Sequence, residues 1–435
     1  MRTLLDVVEK YAKIDKRFHT PGHEIGGSES LYSNAIYDVT ELDITDNLIK
    51  PSGVILDLEK GLAKIYGAKR TLVITTGATT GNFIMLNVIK KLGKTLVVGG
   101  AHKSIYNGLE LFNVPAVFME ERLENGIVEF PTKEELNKYL DDVASVVITS
   151  PNYFGKVIDT DIIKWLQERG KVVVVDEAHG GHFVFSSLLP CSLSSVADIV
   201  VDSLHKTLPV YTGGALIHIN NEALIAETEF YHSILHTSSP SYVTMCSIDF
   251  TQDKFQKEGE SLYAKLKDVV DSIKLDRFKV IKTDDFSRLV IDVFPFSADS
   301  VSEELEKRGV YIEMSYSRYL VLILSPLNID KLIDTIAILK DIENDGEALI
   351  RFEKANLDAQ DFCYQEKRES KKNAYFLDVS EAVGKVARCE IGVYPPGIPF
   401  IKSGERIDEQ KIDYILSNPE KIFGLTSGKI RVEEE

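Results

Sequence analysis

The sequence predicts an α/β fold in which helices cover both faces of a doubly wound, mostly parallel sheet. Short all-apolar runs such as TLVIT and VVVV are typical of buried parallel strands. Runs with helical apolar spacing separate them, so strands and helices alternate through the first half of the chain. Polar loops follow four of the strands, at the sheet edge where α/β proteins bind their ligands.

This alternation predicts the individual elements in order. Helical spacing indicates helices at 53–66, 79–93, 132–141 and 160–169. Apolar runs indicate strands at 71–75, 95–98, 116–119, 143–149, 171–176, 197–203 and 214–219. A long polar helix to about 274 then precedes strands at 287–294 and 318–325 and helices at 299–308 and 328–343. We therefore expect an N-terminal segment (1–50), a large ligand-binding domain (51–274), a small α/β domain (275–345) and a C-terminal α+β domain (346–435).

The composition is that of a soluble globular protein and argues against a nucleic-acid partner. The 435 residues are 44% hydrophobic and 27% charged, and the formal net charge is −17. A nucleic-acid binder usually presents a basic surface instead. The four cysteines lack metal-binding spacing, and we find neither a signal peptide nor an apolar run long enough to span a membrane. We therefore expect a cytoplasmic protein with no membrane partner.

The stretch VVVVDEAHGGH contains Asp-Glu-Ala-His, which is also the acidic signature of a class of helicases. A helicase also requires the phosphate-binding motif GxxxxGK[ST]. The one GK[ST] tripeptide in the chain begins at Gly93, and the position five residues earlier is Val88 rather than glycine. The ATPase interpretation is therefore rejected, and Asp176 needs another role.

Three of the polar loops together match the three reactive parts of pyridoxal phosphate. Lys206, just past the strand DIVVDS, could bond an aldehyde through an imine, although a single lysine is usually a surface residue. Asp176, at the end of another strand, could pair with a pyridinium nitrogen. The loop TTGATTGN opens a helix and could bind a phosphate, or Thr79 or Thr80 could simply cap that helix.

Histidines offer two further candidate sites. His102 in AHKSIYNG could stack on a cofactor ring, or it could be an ordinary capping or core histidine. His19 and His23, with Glu24, could suggest a metal pair. However, Pro21-Gly22 makes that segment a turn and removes the helical spacing such a pair needs. We therefore expect no metal.

Ordered motifs along nearly the whole chain resemble the Orn/Lys/Arg decarboxylases, the prokaryotic basic amino acid decarboxylases of PLP fold type I (aspartate aminotransferase-like). The matching stretches are FHTPGHEIGG, TTGATTGNFIML, HKSIYNGL, VDEAHGGHFVFS, DSLHKTLPVYTGG, HTSSPSYVTMCSID and EAVGKVARCEIGVYPPGIPFIKSGE. The chain is similar to the short form of the family, because it begins directly at the HTPGH segment without a receiver-like wing domain.

The resemblance implies a role for each site residue. Lys206 would bond pyridoxal phosphate, Asp176 would keep the pyridine nitrogen protonated, and Lys206 or His205 would reprotonate the α-carbon. The cofactor ring would lie between Ala178 and His102. The residues around the phosphate would be Gly77, Ala78, Thr79, Ser203 and His205. Ala78 departs from the family pattern, which commonly has a hydroxyl residue there.

The resemblance also implies a homodimer with shared active sites, or a larger assembly of such dimers. In the family the segment HTSSPSY (236–242) reaches the phosphate of the neighbouring subunit, which would bring Ser238 across the interface. From the residues alone, the same segment is a helix-capping loop before VTMCSIDF.

The substrate implied by the resemblance is a small cationic amino acid, with arginine expected first and lysine or ornithine next. Its decarboxylation would release a polyamine-type amine and serve polyamine biosynthesis. The side-chain cation needs a carboxylate, for which Asp43, Asp46, Glu313 and Glu405 are candidates. Lys206 and Asp176 do not distinguish decarboxylation from aminotransfer, retro-aldol cleavage or β-elimination. An inactive homologue with a binding or regulatory role is a further alternative.

Overall fold

A seven-stranded sheet lies at the centre of the N-terminal half of the chain. The computed structural model describes residues 3–11, 35–119, 122–124, 127–345, 349–352, 373–393 and 398–434. The first nine strands are β1 (Arg70–Ile74), β2 (Thr95–Val97), β3 (Ala116–Phe118), β4 (Arg122–Glu124), β5 (Ile127–Glu129), β6 (Ser145–Thr149), β7 (Val172–Asp176), β8 (Ile199–Asp202) and β9 (Ala215–Ile219). All but β4 and β5, which form a separate hairpin, belong to this sheet in the order β1-β9-β8-β7-β6-β2-β3.

The mostly parallel sheet predicted from the sequence is confirmed. Strands β3, β2, β6, β7 and β8 run parallel to one another. Strand β9 is antiparallel to both β8 and β1. The connection from β8 to β9 contains only the single-turn helix α7 (Leu204–Thr207), and the chain returns in the opposite direction.

Helices cover both faces of this sheet, as predicted. The helices of this half of the chain are α1 (Leu4–Tyr11), α2 (Val54–Tyr66), α3 (Ala78–Lys90), α4 (Lys103–Leu111), α5 (Lys133–Asn137), α6 (Thr160–Glu168), α7 (Leu204–Thr207) and α8 (Ile225–Leu235). Successive residues of β7 contact the helices on opposite faces of the sheet. Val174 packs in one apolar cluster with Ile84 of α3, whereas Val173 packs in another with Ile163 and Leu166 of α6.

Two helix predictions were wrong at their ends. The helix predicted at 132–141 ends at Asn137, because the amides of Lys138 and Tyr139 bond to carbonyls three residues back and tighten the last turn. Thr132 and Glu135 form a capping box at its start. The helix predicted at 79–93 begins one residue earlier, at Ala78, and ends at Lys90.

A second, smaller sheet follows the long helix α9 (Tyr242–Ser272). Its strands are β10 (Lys279–Ile281), β11 (Arg288–Asp292), β12 (Met314–Tyr316) and β13 (Tyr319–Ile323), in the antiparallel order β10-β11-β13-β12. Helices α10 (Ala298–Lys307) and α11 (Ile329–Asp345) accompany it. One apolar cluster joins Leu62 of α2, Phe255 of α9 and Leu289 of β11, so the small sheet is packed against the elements of the large one.

The last described part of the chain has its own apolar cluster. It contains β14 (Ala374–Asp378), β15 (Ile391–Val393), β16 (Ile398–Ile401), α12 (Glu409–Ser417), β17 (Ile422–Phe423) and β18 (Lys429–Glu433). The Arg388 guanidinium reaches Glu110 of α4 at 3.7 Å. The predicted limits of the four domains stay predictions. Within the described ranges, no helix is both long and apolar enough to cross a membrane.

A buried histidine of α8 makes the stability of this fold sensitive to acid. His232 lies behind β1 with Nε2 3.0 Å from the Val73 carbonyl oxygen. Burial, together with the neighbouring His236, lowers its pKa to about 4. The proton is therefore disfavoured in the folded state, and stability present above pH 6.5 is lost as the pH falls towards 4.

We predict that His232→Gln removes this pH dependence. Relative to the variant, the wild type should lose about 2 kcal/mol of unfolding free energy between pH 7 and pH 5. Urea unfolding at both pH values measures the difference. Ser233→Ala, on the exposed side of the same helix, should keep the wild-type dependence. A wild type and His232→Gln variant that respond equally to pH would contradict a neutral buried imidazole.

Candidate active site

The carboxyl end of β8 leads directly to Lys206. The chain turns into the single-turn helix α7, and the Lys206 amide bonds the Ser203 carbonyl at 3.1 Å. The Lys206 side chain points inward, with Nζ 3.2 Å from His179 Nε2, so the surface-lysine interpretation is wrong. Burial lowers the pKa of Lys206, while the charges of Asp176 and Glu313 oppose that shift.

Asp176 ends β7 and is almost fully buried, with 1% of its surface exposed. Its Oδ2 accepts a hydrogen bond from Asn82 Nδ2 at 2.8 Å, and its Oδ1 accepts from the Ala178 amide at 3.1 Å. The Asn82 amide also donates to Ser104 Oγ at 2.8 Å. These contacts fix the carboxylate in one orientation between α3 and the turn after β7.

The neighbouring acidic residue, Glu177, has a purely structural environment. It accepts hydrogen bonds from Ser192 Oγ at 2.6 Å and from the Leu193 amide at 2.8 Å. Burial, together with the charge of Asp202, raises its pKa well above the ordinary value. The two acidic residues of the Asp-Glu-Ala-His stretch therefore have separate partners, rather than sharing a site for a metal ion.

The glycine- and threonine-rich loop begins α3 without a side-chain cap. The cap position is Gly77, with a positive φ of 86°, so the alternative interpretation in which Thr79 or Thr80 caps the helix is wrong. Glycine can adopt this φ, and the backbone enters the helix before either threonine. The Thr76 and Thr80 hydroxyls hydrogen-bond each other at 2.9 Å instead.

This helix start is suited to an anion. The first amides of a helix have no partner within the helix, and they carry the positive end of its dipole. A side chain at Gly77 would meet no atom within 4 Å, so the space in front of the turn is open. The Gly77 amide bonds the Gly213 carbonyl at 2.8 Å, which ties this loop to the segment that follows Lys206.

His102 caps helix α4, as one of its two interpretations predicted. Its Nδ1 accepts from the Ser104 amide at 3.2 Å and lies 2.8 Å from Ser104 Oγ. Burial lowers its pKa to about 4, with Lys206 lowering the pKa further and Asp176 opposing. The imidazole is therefore neutral, and it lies within electrostatic reach of both reactive residues. Stacking of this ring on a cofactor stays a prediction.

The remaining predicted residues surround Lys206 or lie beside the helix start. Ala178 is buried on the turn after β7. Ser203 is buried too, with Oγ 3.3 Å from His205 Nδ1, which is also 3.3 Å from the Gly214 carbonyl. Thr79 and Ser238 are exposed.

The segment HTSSPSY has the capping role that the residues alone indicated. Ser241 caps α9 and accepts from the Thr244 amide at 3.2 Å. His236 Nε2 accepts from the Thr75 amide at 3.0 Å, at the end of β1. The exposed residues between them, among them Ser238, therefore lie close to the glycine-rich loop.

Three residues of this site were not predicted from the sequence. Asn82 ends the stretch TTGATTGN, and His179 ends the Asp-Glu-Ala-His stretch, so both had a local signal. Arg288 begins β11 in the small sheet and had none. Its Nη2 lies 2.9 Å from His179 Nδ1, which brings the small sheet into contact with the site.

The four candidate carboxylates differ in their surroundings. Asp46 accepts backbone hydrogen bonds, among them those from Ser52 and Gly53 before α2, so it is a structural residue. Glu405 pairs with Lys411 and accepts from the Lys402 amide. Asp43 is exposed on a turn. Glu313 is exposed before β12, and its charge acts on Lys206 and Arg288.

A buried carboxylate, an inward lysine and an uncapped helix start thus meet at one edge of a mostly parallel sheet. These residues fit pyridoxal phosphate, which needs a partner for its aldehyde, its ring nitrogen and its phosphate. The arrangement is that of a fold type I pyridoxal phosphate enzyme. The proposed metal pair at His19 and His23 lies outside the described residues, as do the HTPGH stretch and positions 394–397 of YPPGIPF.

Comparison with known proteins identifies the family. Residues 3–301 match the family model described as Orn/Lys/Arg decarboxylase, major domain, and residues 351–422 match that of the C-terminal domain. The chain belongs to the Orn/Lys/Arg decarboxylase family. It is therefore a pyridoxal phosphate-dependent carboxy-lyase of the basic amino acid decarboxylase type, which favours decarboxylation over aminotransfer, aldol cleavage and β-elimination.

Individual relatives are similar to nearly the whole chain. The chain is 30% identical to the uncharacterized protein YaaO of Bacillus subtilis (strain 168), over 96% of this chain and 92% of the relative. It is 26% identical to the arginine decarboxylase of the same organism, over 92% of this chain and 90% of that one. Among solved structures, the lysine decarboxylase of Francisella novicida superposes with a TM-score of 0.79 at 18% identity, covering 99% of this chain and 81% of that one.

Proposed function

We propose that the chain decarboxylates arginine, with lysine and ornithine as poorer substrates. The observation that carries this proposal is Glu313, because it is the one of the four candidate carboxylates whose charge acts on Lys206. A guanidinium bonds a carboxylate through two parallel N–H groups, which makes arginine the substrate such a residue would favour. The similarity to an arginine decarboxylase over 92% of the chain supports the same choice.

The residues of the site have separate proposed tasks. Lys206 Nζ would hold the cofactor covalently, and the buried Asp176 carboxylate would stabilise positive charge on the ring nitrogen. The backbone amides of Ala78 and Thr79, with Ser203, would bind the phosphate. When bound, pyridoxal phosphate supplies an electron sink for the electrons left by the departing CO2.

The remaining residues orient the groups and move a proton. Ala178 and the neutral imidazole of His102 would contact the two faces of the bound ring. His205, beside the lysine, or Lys206 itself delivers a proton to the α-carbon after CO2 has left. His205 Nδ1 lies 3.3 Å from both Ser203 Oγ and the Gly214 carbonyl, and these contacts orient its ring.

Incubation with the three amino acids tests the substrate. Purified protein with added pyridoxal phosphate is given arginine, lysine or ornithine, and the amine and CO2 released are measured. We expect kcat/KM to be highest for arginine. A higher kcat/KM for lysine or ornithine would overturn the choice of arginine while leaving the decarboxylase assignment intact.

We predict that Glu313→Gln weakens substrate binding. Loss of a charged hydrogen-bond partner costs about 1.5–3 kcal/mol, so KM for arginine should rise roughly 10- to 100-fold with a smaller change in kcat. Asp43→Asn removes another exposed candidate carboxylate and should leave KM unchanged. An unchanged KM in Glu313→Gln would show that another group binds the substrate cation.

We further propose an obligate homodimer whose active sites are shared, with the exposed residues 237–239 reaching the partner's phosphate. A closed two-fold dimer would bury the same surface on both chains. Chains carrying Ser238→Glu and Ser239→Glu should bind the cofactor poorly, because carboxylates repel its phosphate. Lys206→Ala chains should be inactive for a different reason.

Co-refolding these two variants tests the shared site. Equal mixing makes half of the dimers mixed, and one site of each mixed dimer combines an intact lysine with an intact 237–239 segment. We expect about a quarter of the wild-type activity to return. Each variant refolded alone is the control. Mixed dimers confirmed by mass spectrometry but no more active than the two parents would rule out the shared site.

A further inference from the structure

A chain of hydrogen bonds runs from the small sheet to the reactive lysine. Arg288 Nη2 lies 2.9 Å from His179 Nδ1, and His179 Nε2 lies 3.2 Å from Lys206 Nζ. Arg288 has 1% of its surface exposed and His179 has 3%. Both contacts are therefore shielded from water. In such buried surroundings a hydrogen bond is strong, and a polar group without a partner is costly.

The chemistry of the three groups allows only one direction for these bonds. A guanidinium can only donate, so His179 Nδ1 must accept and carry no proton. The proton of a neutral imidazole is then on Nε2, which donates to Lys206 Nζ. An ammonium has no lone pair and cannot accept, so this arrangement selects the neutral amine of Lys206.

The surroundings hold Arg288 and His179 in place. A Cβ at Gly155 would lie 2.7 Å from Arg288 Cβ, so the loop after β6 closes directly on the arginine. The Tyr153 ring packs on the His179 ring at a centroid distance of 5.0 Å. Arg288 Nε and Nη1 have no hydrogen-bond partner within the described part of the chain, and the nearby charges of Asp285 and Glu313 act on this cation.

We propose that Arg288 is a positioning residue that, through His179, keeps Lys206 in the neutral form that bonds the cofactor. Only a neutral amine has the lone pair that forms the bond to an aldehyde carbon, with both Nζ protons and the carbonyl oxygen leaving as water. This inference rests on the proposed role of Lys206. It adds a reason why Lys206 is neutral, and this reason lies in the small sheet rather than at the strand ends of the large sheet.

The electrostatic environment supports the same state. Burial lowers the pKa of His179 well below its ordinary value, and the charge of Arg288 lowers it further, so the imidazole is neutral. Burial also lowers the pKa of Lys206, and Arg288 adds to that shift. Among the described residues, the charged and titratable groups that face Lys206 are Asp176, His179, His102, Glu313 and Arg288, with His205 adjacent in the chain.

The reactivity of Lys206 towards acetic anhydride tests this proposal without relying on turnover. Full-length protein freed of cofactor is labelled at a series of pH values, and mass spectrometry compares the Lys206 peptide with that of Lys103 as an internal reference. The midpoint pH of Lys206 labelling should rise by about one unit in Arg288→Met. Below that midpoint, the fraction of neutral, reactive amine would be about tenfold lower. Arg288→Lys keeps a cationic donor and should stay near the wild type.

A double-mutant comparison separates action through His179 from direct charge repulsion. If Arg288 acts through the imidazole, the midpoint shift caused by Arg288→Met in a His179→Leu background should be less than about half of the shift in the wild-type background. An equal shift in both backgrounds would show that the charge alone acts, and would overturn the proposal. So would an unchanged midpoint in Arg288→Met.

The tautomer of His179 gives a second, direct measurement. Nitrogen-15 spectra of histidine-labelled protein should show the His179 proton on Nε2 in the wild type and a mixture of tautomers in Arg288→Met, with His179→Leu providing the assignment. A proton on Nδ1 in the wild type would overturn the proposal, whether or not Arg288→Met folds. Borohydride trapping of pyridoxal phosphate on Lys206→Ala would instead disprove the role of Lys206, so the two failures are distinguishable.

Discussion

Lys206→Ala is expected to lower turnover by about 10⁴-fold or more and to abolish borohydride-trappable attachment of pyridoxal phosphate. The physical reason is the position of Nζ. It is the amine at the carboxyl end of β8, 3.2 Å from the His179 imidazole. Burial lowers its pKa, which favours the neutral, nucleophilic form. No other side chain in the segment 203–207 carries an amine.

The measurement pairs a rate with a covalent signature. Turnover with arginine is followed by amine release, and the reduced protein is digested to locate the modified peptide by mass spectrometry. Lys103→Ala is the matched control, because Lys103 belongs to the other His-Lys pair of the chain, at the start of α4. After reduction and digestion, the Lys103→Ala protein should still give the modified Lys206 peptide. Retained turnover with full cofactor attachment in Lys206→Ala would disprove the assignment.

Stability must be measured alongside the rate, since Lys206 is packed in the site. Removing its side chain leaves His179 Nε2 without its partner, and a lost buried hydrogen bond costs about 1–3 kcal/mol. Lys206→Met keeps most of the volume and is expected to be equally inactive but more stable. The comparison separates a missing amine from a loosened fold.

Most of the large sheet was predictable from sequence because its signal is local. Strand β7 is largely a run of valines. A strand inside a parallel sheet is buried on both faces, and this burial favours an apolar run whatever the position of the strand in the sheet. The strands missed in the small sheet lack this signal. Strand β10, for example, is three residues long and largely exposed, so its pairing with β11 rather than its composition defines it.

The site was predictable only where one motif carries the residue. Asp176 and Lys206 follow apolar strands, and the carboxyl ends of parallel strands meet at one edge. Contacts between distant segments gave no such signal. Arg288 meets His179 across 109 residues, and Asn82 meets Asp176 across 94. The pairing of these residues follows from tertiary packing, which no short pattern encodes.

The same limit explains the wrong cap at the glycine-rich loop. Threonine is a common helix cap, so Thr79 and Thr80 were reasonable candidates from composition. The helix starts earlier because the Gly77 amide is held by the Gly213 carbonyl from the segment after Lys206. The long-range bond, rather than the local preference, decides where the helix begins, and it leaves the first amides available.

Asp176→Asn is expected to lower turnover by about 10²–10³-fold while the protein stays folded. The carboxylate is the charge that would stabilise a protonated ring nitrogen, and removing a preorganised electrostatic partner has an effect of this size. Covalent attachment at Lys206 should persist, because the aldehyde does not depend on this charge. The variant should therefore bind the cofactor but use it poorly.

The fold should tolerate this change because Asn82 can adapt. In the wild type, Asn82 Nδ2 donates to Asp176 Oδ2 and Asn82 Oδ1 is buried with no hydrogen-bond partner in the described structure. Rotation of the Asn82 amide would turn its oxygen towards the new amide group, which could then donate to it. The Ala178 amide would keep its acceptor, the remaining side-chain oxygen.

Asn82→Ala is the matched comparison. It should lose stability through the missing contacts to Asp176 and Ser104 but retain the carboxylate, so its turnover should fall much less than that of Asp176→Asn. Melting temperature, turnover and the visible absorbance of the bound cofactor are measured on both variants. If Asp176 were only a structural residue that orders the turn through the Ala178 amide, Asp176→Asn would keep that bond and also keep its rate. That result would contradict the proposed charge pairing.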